Sequence, residues 1–227
     1  MERSRDRLIL TLAILGGTGR EGGGLAYRWA RAGYHVVIGS RSADKAERAA
    51  AEVNARLEQP TVQGLPNPEA AANCDIAVLT VPYAAHRSTL EGLRQVLQGK
   101  ILIDVCVPID PQDPTRVMVP PDGSASQEAQ AILGAAVRVV AAFQNVSHRH
   151  LRDDGPVPCD VLVCGDDQEA KSQVLRLVAA AGLAGWDAGG LRNAVAVEGL
   201  SPILLGINRR HKVKSAGIRI TGEQQPA

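Results

Sequence analysis

Short apolar segments alternate with longer amphipathic segments along most of the chain. An apolar segment bounded by glycine, proline or charged residues is typical of a buried strand, whereas apolar residues at helical spacing are typical of a helix packed on one face. Their alternation predicts a Rossmann-type α/β fold, a doubly wound parallel sheet with helices on both faces. Strands are expected at residues 8–15, 34–38, 61–64, 75–80, 100–105 and 137–142. Helices are expected from residue 20 onward and at residues 43–57, 67–72, 84–97 and 126–133.

The pattern changes after Phe143. Residues 148–158 are polar and rich in proline, so a hinge is expected there. We therefore divide the chain into a large domain, residues 1–145, and a smaller C-terminal α/β domain, residues 146–227. In the smaller domain we expect strands at residues 159–164 and 183–186, and helices at residues 168–181 and 193–208.

Glycines lie between the first expected strand and the first expected helix. Gly17, Gly19 and Gly22 fill the pattern G-x-G-x-x-G in that position. The first permits a tight turn, the second lets a pyrophosphate approach the backbone, and the third lets helix and strand pack closely. The start of the helix then offers free N–H groups to the phosphates. The alternative is a glycine-rich turn without a ligand. The predicted nucleotide contacts are Gly17, Thr18, Gly19, Arg20 and Glu21.

The end of the second expected strand indicates which nucleotide is bound. An acidic residue usually reads the free ribose 2′-hydroxyl of NAD at this position, and none is present. Ser40 and Arg41 are there instead, with Lys45 one helical turn further along. A guanidinium pairs well with a phosphate and poorly with a hydroxyl. We therefore predict NADP as the cofactor of the large domain; the alternative is that Arg41 is a solvated residue at a helix start.

Composition and charge restrict the class of protein. The formal net charge is +1, so neither nucleic acid nor an anionic membrane surface is expected as a partner. No apolar run reaches the length of a membrane span. The first residues lead directly into the first strand, so no cleaved signal peptide is expected. The four cysteines form no C-x-x-C pair, which favours reduced thiols and a cytoplasmic location.

Several motifs in collinear order resemble those of the NADPH-dependent F-420 reductases, also called 8-hydroxy-5-deazaflavin:NADP oxidoreductases. These motifs are Leu-Gly-Gly-Thr-Gly at residues 15–19, Gly-Ser-Arg at 39–41, Cys-Asp-Ile-Ala-Val-Leu-Thr at 74–80, Val-Cys-Gly-Asp-Asp at 163–167, Asp-Ala-Gly at 187–189 and Glu-Gly-Leu-Ser-Pro at 198–202. The Cys-Gly-Asp-Asp and Asp-Ala-Gly segments are the most specific. The resemblance implies reversible hydride transfer between NADP(H) and coenzyme F-420, with the deazaflavin ring over the nicotinamide in a cleft between the two domains.

Direct transfer between two stacked rings depends on positioning more than on a side-chain acid or nucleophile. Consistent with this, the sequence has no G-x-S-x-G or H-E-x-x-H motif, and we predict no catalytic side chain. Val81, Pro82 and Tyr83 follow the fourth expected strand at the carboxyl edge of the sheet, where such ligands bind. Residues 143–147 follow the sixth, and Asn145 and Val146 are predicted to line the nicotinamide pocket. His148, His150 and the two later cysteines match no standard zinc spacing, so no metal is predicted.

Other functions remain open at this point. The alternatives are an NADPH-dependent reductase of another acceptor, such as a flavin, a metal ion or a small carbonyl compound, and a non-catalytic NADP-binding sensor. The expected helix at residues 193–208 has scarcely any polar face. A helix that is apolar nearly all round is buried, so we expect it to pack against the large domain and a second subunit in a homodimer.

Overall fold

A computed structural model describes residues 10–222. In this part of the chain, eight strands form one sheet in the order β3-β2-β1-β4-β5-β6-β7-β8. The strands are β1 (Thr11–Leu15), β2 (His35–Ser40), β3 (Val62–Pro66), β4 (Ile76–Leu79), β5 (Ile101–Asp104), β6 (Arg138–Ala141), β7 (Asp160–Gly165) and β8 (Ala184–Asp187). Each corresponds to an expected strand, with bounds that differ by a few residues; Leu8 and Ile9 of the first lie outside the described residues.

The sheet is parallel from β3 to β6, as predicted. The exception is β7, which runs antiparallel to β6 with Ala141 opposite Cys164, while β8 is parallel to β7. The Rossmann-type doubly wound parallel sheet predicted for the large domain is therefore confirmed, and β7, which we expected in the smaller domain, joins that sheet in the antiparallel direction. As a result, β7 begins at the edge of the sheet where β1, β4, β5 and β6 end.

Helices cover both faces of the sheet. They are α1 (Arg20–Arg31), α2 (Ala43–Asn54), α3 (Asn67–Ala72), α4 (Tyr83–Leu93), α5 (Ala125–Leu133), α6 (His148–Arg152), α7 (Gln168–Ala180) and α8 (Ala194–His211). The short α6 lies where we expected only a polar hinge. Ser147 caps it by accepting a hydrogen bond from the Arg149 N–H. The carboxylate of Asp167 caps α7 in the same way by accepting a hydrogen bond from the Ala170 N–H.

The core is aliphatic and divided by the sheet. In β1, Leu12 and Ile14 belong to the apolar cluster on one face, and Ala13 and Leu15 belong to the cluster on the other. All four side chains are fully buried. A strand buried on both faces explains the continuous apolar run in the sequence.

Residues on both sides of the expected boundary at 145/146 are closely connected. Strands β1–β6 and β7–β8 share one sheet, and the Trp29 indole on α1 donates a 2.8 Å hydrogen bond to the Leu177 carbonyl on α7. The division into domains of residues 1–145 and 146–227 stays a prediction.

Helix α8 is less enclosed than its sequence suggests. Val197 and Leu204 are buried, but Ile203 and Leu205 are 47% and 41% exposed. The helix continues through Pro202 and ends at Lys212, which has a left-handed backbone with φ of 54°. No helix among the described residues combines the length and apolarity needed to cross a membrane.

Candidate functional site

The glycine loop between β1 and α1 has the geometry of a nucleotide-binding turn. Gly16 has φ of 73°, which favours glycine, and the Gly17 N–H donates 3.0 Å hydrogen bonds to the carbonyls of Ile14 and Gly39. A Cβ on Gly22 would lie 2.6 Å from Gly17 Cα, so close packing of loop and helix requires glycine there. By contrast, a Cβ on Gly19 would meet no protein atom within 4 Å. The open space beside Gly19 is what a backbone that receives a pyrophosphate requires.

A cleft of about 930 Å³ begins at this loop and follows the carboxyl edge of the sheet. It is the size of the pockets that hold cofactors and small substrates. Nine of the residues predicted from the sequence line it: Thr18, Gly19, Arg20, Glu21, Val81, Pro82, Tyr83, Asn145 and Val146.

The remaining predicted residues lie beside the cleft. Gly17 is buried within the turn. Ser40 is buried at the end of β2, and its Oγ accepts a hydrogen bond from the Ser42 N–H. Arg41 and Lys45 are exposed just beyond it. Because the Gly39 carbonyl accepts a hydrogen bond from the Gly17 N–H, the basic side chains of Arg41 and Lys45 lie next to the glycine loop.

Sequence analysis missed two walls of the cleft. One is the segment after β5, and the other is the second half of α8 with the chain that follows it. The first contributes Val105, Cys106, Val107, Ile109, Pro111 and Met118, and the second contributes Ser201, Leu204, Leu205, Asn208, Lys214 and Ala216. The position of β5 beside β4 was a signal for the first wall. Helix α8 had no local signal, since its path depends on the direction of β7.

Glu198 fixes α8 against the rest of the molecule. Its buried carboxylate accepts hydrogen bonds from the N–H groups of Ala125 and Ser126 and from the Ser126 hydroxyl. These donors belong to the first turn of α5, where unpaired N–H groups favour an anion. The contact holds the second half of α8 over the cleft.

The segment after β6 turns sharply into the cleft at Phe143. This residue has φ of 72°, which is uncommon for an aromatic side chain. Its buried ring packs edge-on against Trp29, with 5.6 Å between centroids, and this packing holds the turn in place. The turn brings Gln144 and Asn145 to the wall of the cleft.

The amide groups of Gln144 and Asn145 have fixed orientations. Gln144 Nε2 donates to the Asp104 carbonyl at 2.8 Å, and Asn145 Nδ2 donates to the Val197 carbonyl at 2.9 Å. A flipped amide would place two oxygens against each other, so both side-chain oxygens are defined. These oxygens, Gln144 Oε1 and Asn145 Oδ1, are buried and accept no hydrogen bond from the described residues.

Glu21 is the acidic residue of the cleft wall. Burial raises its pKa to about 8, so the carboxyl group is largely protonated at neutral pH. Its Oε1 has no hydrogen-bond partner among the described residues. A neutral carboxyl adds no negative charge beside Arg20 and the amino end of α1. The cleft therefore suits an anionic ligand at this end.

One buried group of potential metal ligands lies beneath the cleft, formed by His86, Asp104 and Cys106. The His86 nitrogens already contact two carboxylates, and the Cys106 thiol donates to the Val81 carbonyl. These groups are paired with protein partners, and the absence of a metal stays a prediction.

Comparison with protein families gives a match over residues 11–108 to the family described as NADP oxidoreductase, coenzyme F420-dependent. The chain is 42% identical over 221 residues to the F420-dependent NADP reductase of Methanocaldococcus jannaschii, covering 93% of this chain and 98% of that protein. It is 41% identical over 222 residues to the F420-dependent NADP reductase of Methanothermobacter thermautotrophicus, covering 94% and 96%.

The solved structures include a similar fold. A protein of Arthrobacter sp. FB24, provisionally described as an F420-dependent NADP reductase, superimposes with a TM-score of 0.80 at 26% identity. The match covers 94% of this chain and all of that chain. The similarity therefore extends over the whole sheet and α8.

Proposed function

The chain belongs to the family of F420-dependent NADP reductases, and from this we propose that it transfers a hydride between NADP(H) and coenzyme F-420 in the cleft described above. The observation that carries the proposal is the cleft itself, which joins the open Gly19 backbone to the apolar wall around Val81 and Tyr83. The first part fits a dinucleotide, and the second leaves room for another ring system beside it.

We place NADP along the carboxyl ends of β1, β2 and β4. The amino end of α1 and the backbone around Gly19 would hold the pyrophosphate, and Ser40, Arg41 and Lys45 would hold the 2′-phosphate. The oxygens of Gln144 and Asn145 lie beside the expected nicotinamide position and are the acceptors available there. When bound, NADPH supplies the hydride and F-420 accepts it.

The residues of the chain have three tasks in this reaction. Val81, Pro82 and Val146 form an apolar wall that excludes water from the space between two stacked rings. The amides of Gln144 and Asn145 hold the segment after β6 at a defined distance from the end of β5 and from α8. Helix α8 closes the cleft opposite the glycine loop through Ser201 and Leu204. None of these tasks requires an acid, a base or a nucleophile, and the absence of a catalytic side chain stays a prediction.

Direct transfer predicts the fate of an isotopic label. With NADPH deuterated at C4 on the transferred face, the deuterium is expected in reduced F-420 and not in water. Mass spectrometry of the product, with NADPH labelled on the opposite face as the control, measures this. Loss of the label to solvent would contradict direct transfer. Oxidation of NADPH by a flavin, a ferric chelate or a carbonyl compound with no reaction of F-420 would contradict the choice of acceptor.

The Arg41→Ala variant tests the 2′-phosphate site. We expect NADP binding to weaken by about 1.5–3 kcal/mol, the value of a hydrogen bond to a charged group, with little change for NAD. Titration calorimetry with both nucleotides measures the difference. Arg48→Ala, which removes an exposed arginine of the following helix α2, is the matched control and is expected to bind both as the unmodified protein does. Equal losses for both nucleotides in Arg41→Ala would exclude this residue as the phosphate contact.

We also infer a homodimer, on the basis of an exposed apolar surface. Val117 and Val119 on the loop after β5 are 44% and 57% exposed, as Ile203 and Leu205 of α8 are also exposed. The loop touches α8, since a Cβ on Gly199 would lie 3.5 Å from Val117. A pairing of two copies about a twofold axis covers such a surface. Gly206 of α8 is buried in its own chain near Thr115, so an arginine there would disturb the fold itself and would not test the dimer.

Ile203→Arg is the better test of the dimer. Sedimentation at micromolar concentration is expected to show a particle of twice 23.9 kDa for the unmodified protein and of 23.9 kDa for this variant. Glu52→Arg, on the exposed surface of α2, is the control and is expected to sediment as the dimer. A 23.9 kDa particle for the unmodified chain would contradict the inference.

The cytoplasmic location stays a proposal that rests on the cysteines. Cys74, Cys106, Cys159 and Cys164 are all buried free thiols. Reduced cysteines are typical of a reducing compartment.

A further inference from the structure

A buried group of charges lies beneath the wall of the cleft that Tyr83 forms. His86 on α4 has no exposed surface. Its Nε2 is 2.9 Å from Asp104 Oδ2 at the end of β5, and its Nδ1 is 3.0 Å from Glu128 Oε1 on α5. Three elements of the fold are therefore joined through one imidazole ring.

Both neighbours of the ring are carboxylates, and this defines its protonation. An ionised carboxylate only accepts hydrogen bonds, so each ring nitrogen must carry a proton to be paired. Burial lowers the pKa of His86, but the hydrogen bonds and charges of Asp104 and Glu128 more than offset this and raise it. His86 is thus a buried cation that pairs with Asp104 and Glu128.

The same carboxylate of Glu128 also holds Tyr83. The Tyr83 hydroxyl donates to Glu128 Oε2 at 3.3 Å, and Arg87 Nη2 donates to that oxygen at 3.1 Å. The Tyr83 ring lies over the His86 ring, with 5.7 Å between centroids and 33° between planes. His86 therefore supports Tyr83 in two ways, through ring contact and through Glu128.

The network reaches the other wall of the cleft through Asp104. Its side chain accepts from the Cys106 N–H at 3.0 Å, and its backbone carbonyl accepts from Gln144 Nε2 at 2.8 Å. Tyr83 and Gln144 both line the cleft. One set of hydrogen bonds thus fixes both of them relative to each other.

We propose that His86 is a positioning residue which, through Glu128 and its own ring, holds Tyr83 at the angle needed to receive the ring of the hydride acceptor. The inference rests on the proposed function, since it concerns the acceptor side of the same cleft. Removal of His86 leaves the buried Asp104 carboxylate without its cationic partner and leaves Glu128 with Arg87 alone, and Tyr83 loses the support beneath its ring. The nucleotide end of the cleft, around Gly19, has no contact with this network.

A double-mutant cycle between His86→Gln and Tyr83→Ala tests the proposal. We expect His86→Gln alone to lower kcat/KM for F-420 at least 10-fold, with KM for F-420 raised and the Kd for NADPH changed less than twofold. In the Tyr83→Ala background, His86→Gln is expected to change kcat/KM less than twofold further, because the residue it acts through is gone. The proposal would be overturned if the losses of kcat/KM in the two single variants multiplied fully in the double variant. It would also be overturned if His86→Gln weakened NADPH binding as much as it lowered kcat/KM for F-420.

Two further variants complete the test: one is a matched control, and the other replaces His86→Gln if that variant does not fold. His35→Gln, an exposed histidine at the start of β2, is the matched control and is expected to behave as the unmodified protein. If His86→Gln does not fold, Glu128→Gln takes its place, with an expected three- to tenfold loss that vanishes in the Tyr83→Ala background. A loss that persists in that background would overturn the proposal. No reduction of F-420 by the unmodified protein would instead refute the proposed function.

Discussion

The Arg28→Ala variant is expected to lower the free energy of unfolding by about 4 kcal/mol, because it removes the centre of a buried hydrogen-bond network. The guanidinium of Arg28 donates to the carbonyls of residues in and after α6, and to the Ala181 carbonyl at the end of α7. Alanine would leave these acceptors without a partner inside the protein. Urea unfolding followed by circular dichroism measures the change.

Arg31→Ala provides the matched comparison. Arg31 lies on the same helix and pairs with Asp154, but both side chains are more than half exposed. Such an ion pair contributes less than about 1 kcal/mol. Similar losses for the two variants would show that the carbonyl contacts of Arg28 are not the source of its stability contribution.

The Gly19→Ala variant is expected to weaken NADP binding at least 10-fold, on the order of 1.4 kcal/mol or more, without lowering the melting temperature. The added Cβ meets no protein atom within 4 Å, so the fold accommodates it. It projects into the space where the pyrophosphate is expected to approach the backbone. Fluorescence titration with NADPH and thermal unfolding measure the two effects.

Gly23→Ala is the matched control, which distinguishes an effect on nucleotide binding from an effect on helix α1. Gly23 lies in α1 but does not line the cleft, and the nearest atom to its Cβ would be the Gly17 carbonyl oxygen at 4.0 Å. Alanine in a helix is more favourable than glycine by up to about 1 kcal/mol. This variant is expected to bind NADP normally and to be slightly more stable. Unchanged NADP binding by Gly19→Ala would mean that the nucleotide lies elsewhere.

The part of the site that is built from local sequence motifs could be predicted from the sequence. The glycine loop, Ser40 with Arg41, and the segment after β4 each follow a strand, and the carboxyl ends of parallel strands meet at one edge. Their positions therefore follow from the strand pattern alone. In the structure, Thr18, Tyr83 and Asn145 line one cleft.

The wall formed by α8 could not be predicted in this way. An apolar strand such as β7 has the same sequence pattern whether it runs parallel or antiparallel to its neighbour. Its direction follows from the connection after β6, which stays at one edge of the sheet with α6 packed on α1 and held by Arg28. The contacts that support Tyr83 could not be predicted either, because His86, Asp104 and Glu128 are far apart in the sequence and follow no spacing rule.

The direction of β7 also determines where the two most specific motifs of the family resemblance lie in the structure. Because β7 is antiparallel to β6, the turn after it lies at the opposite edge of the sheet from the cleft, and the turn after β8 lies with it. There the Leu191 N–H donates to Asp166, and Lys171 pairs with Asp187 at 2.8 Å. The two most diagnostic motifs, Cys-Gly-Asp-Asp and Asp-Ala-Gly, also contact each other directly, since the Gly165 N–H donates to the Gly189 carbonyl at 3.0 Å. They join the ends of β7 and β8, away from Tyr83 and Gln144 in the wall of the cleft.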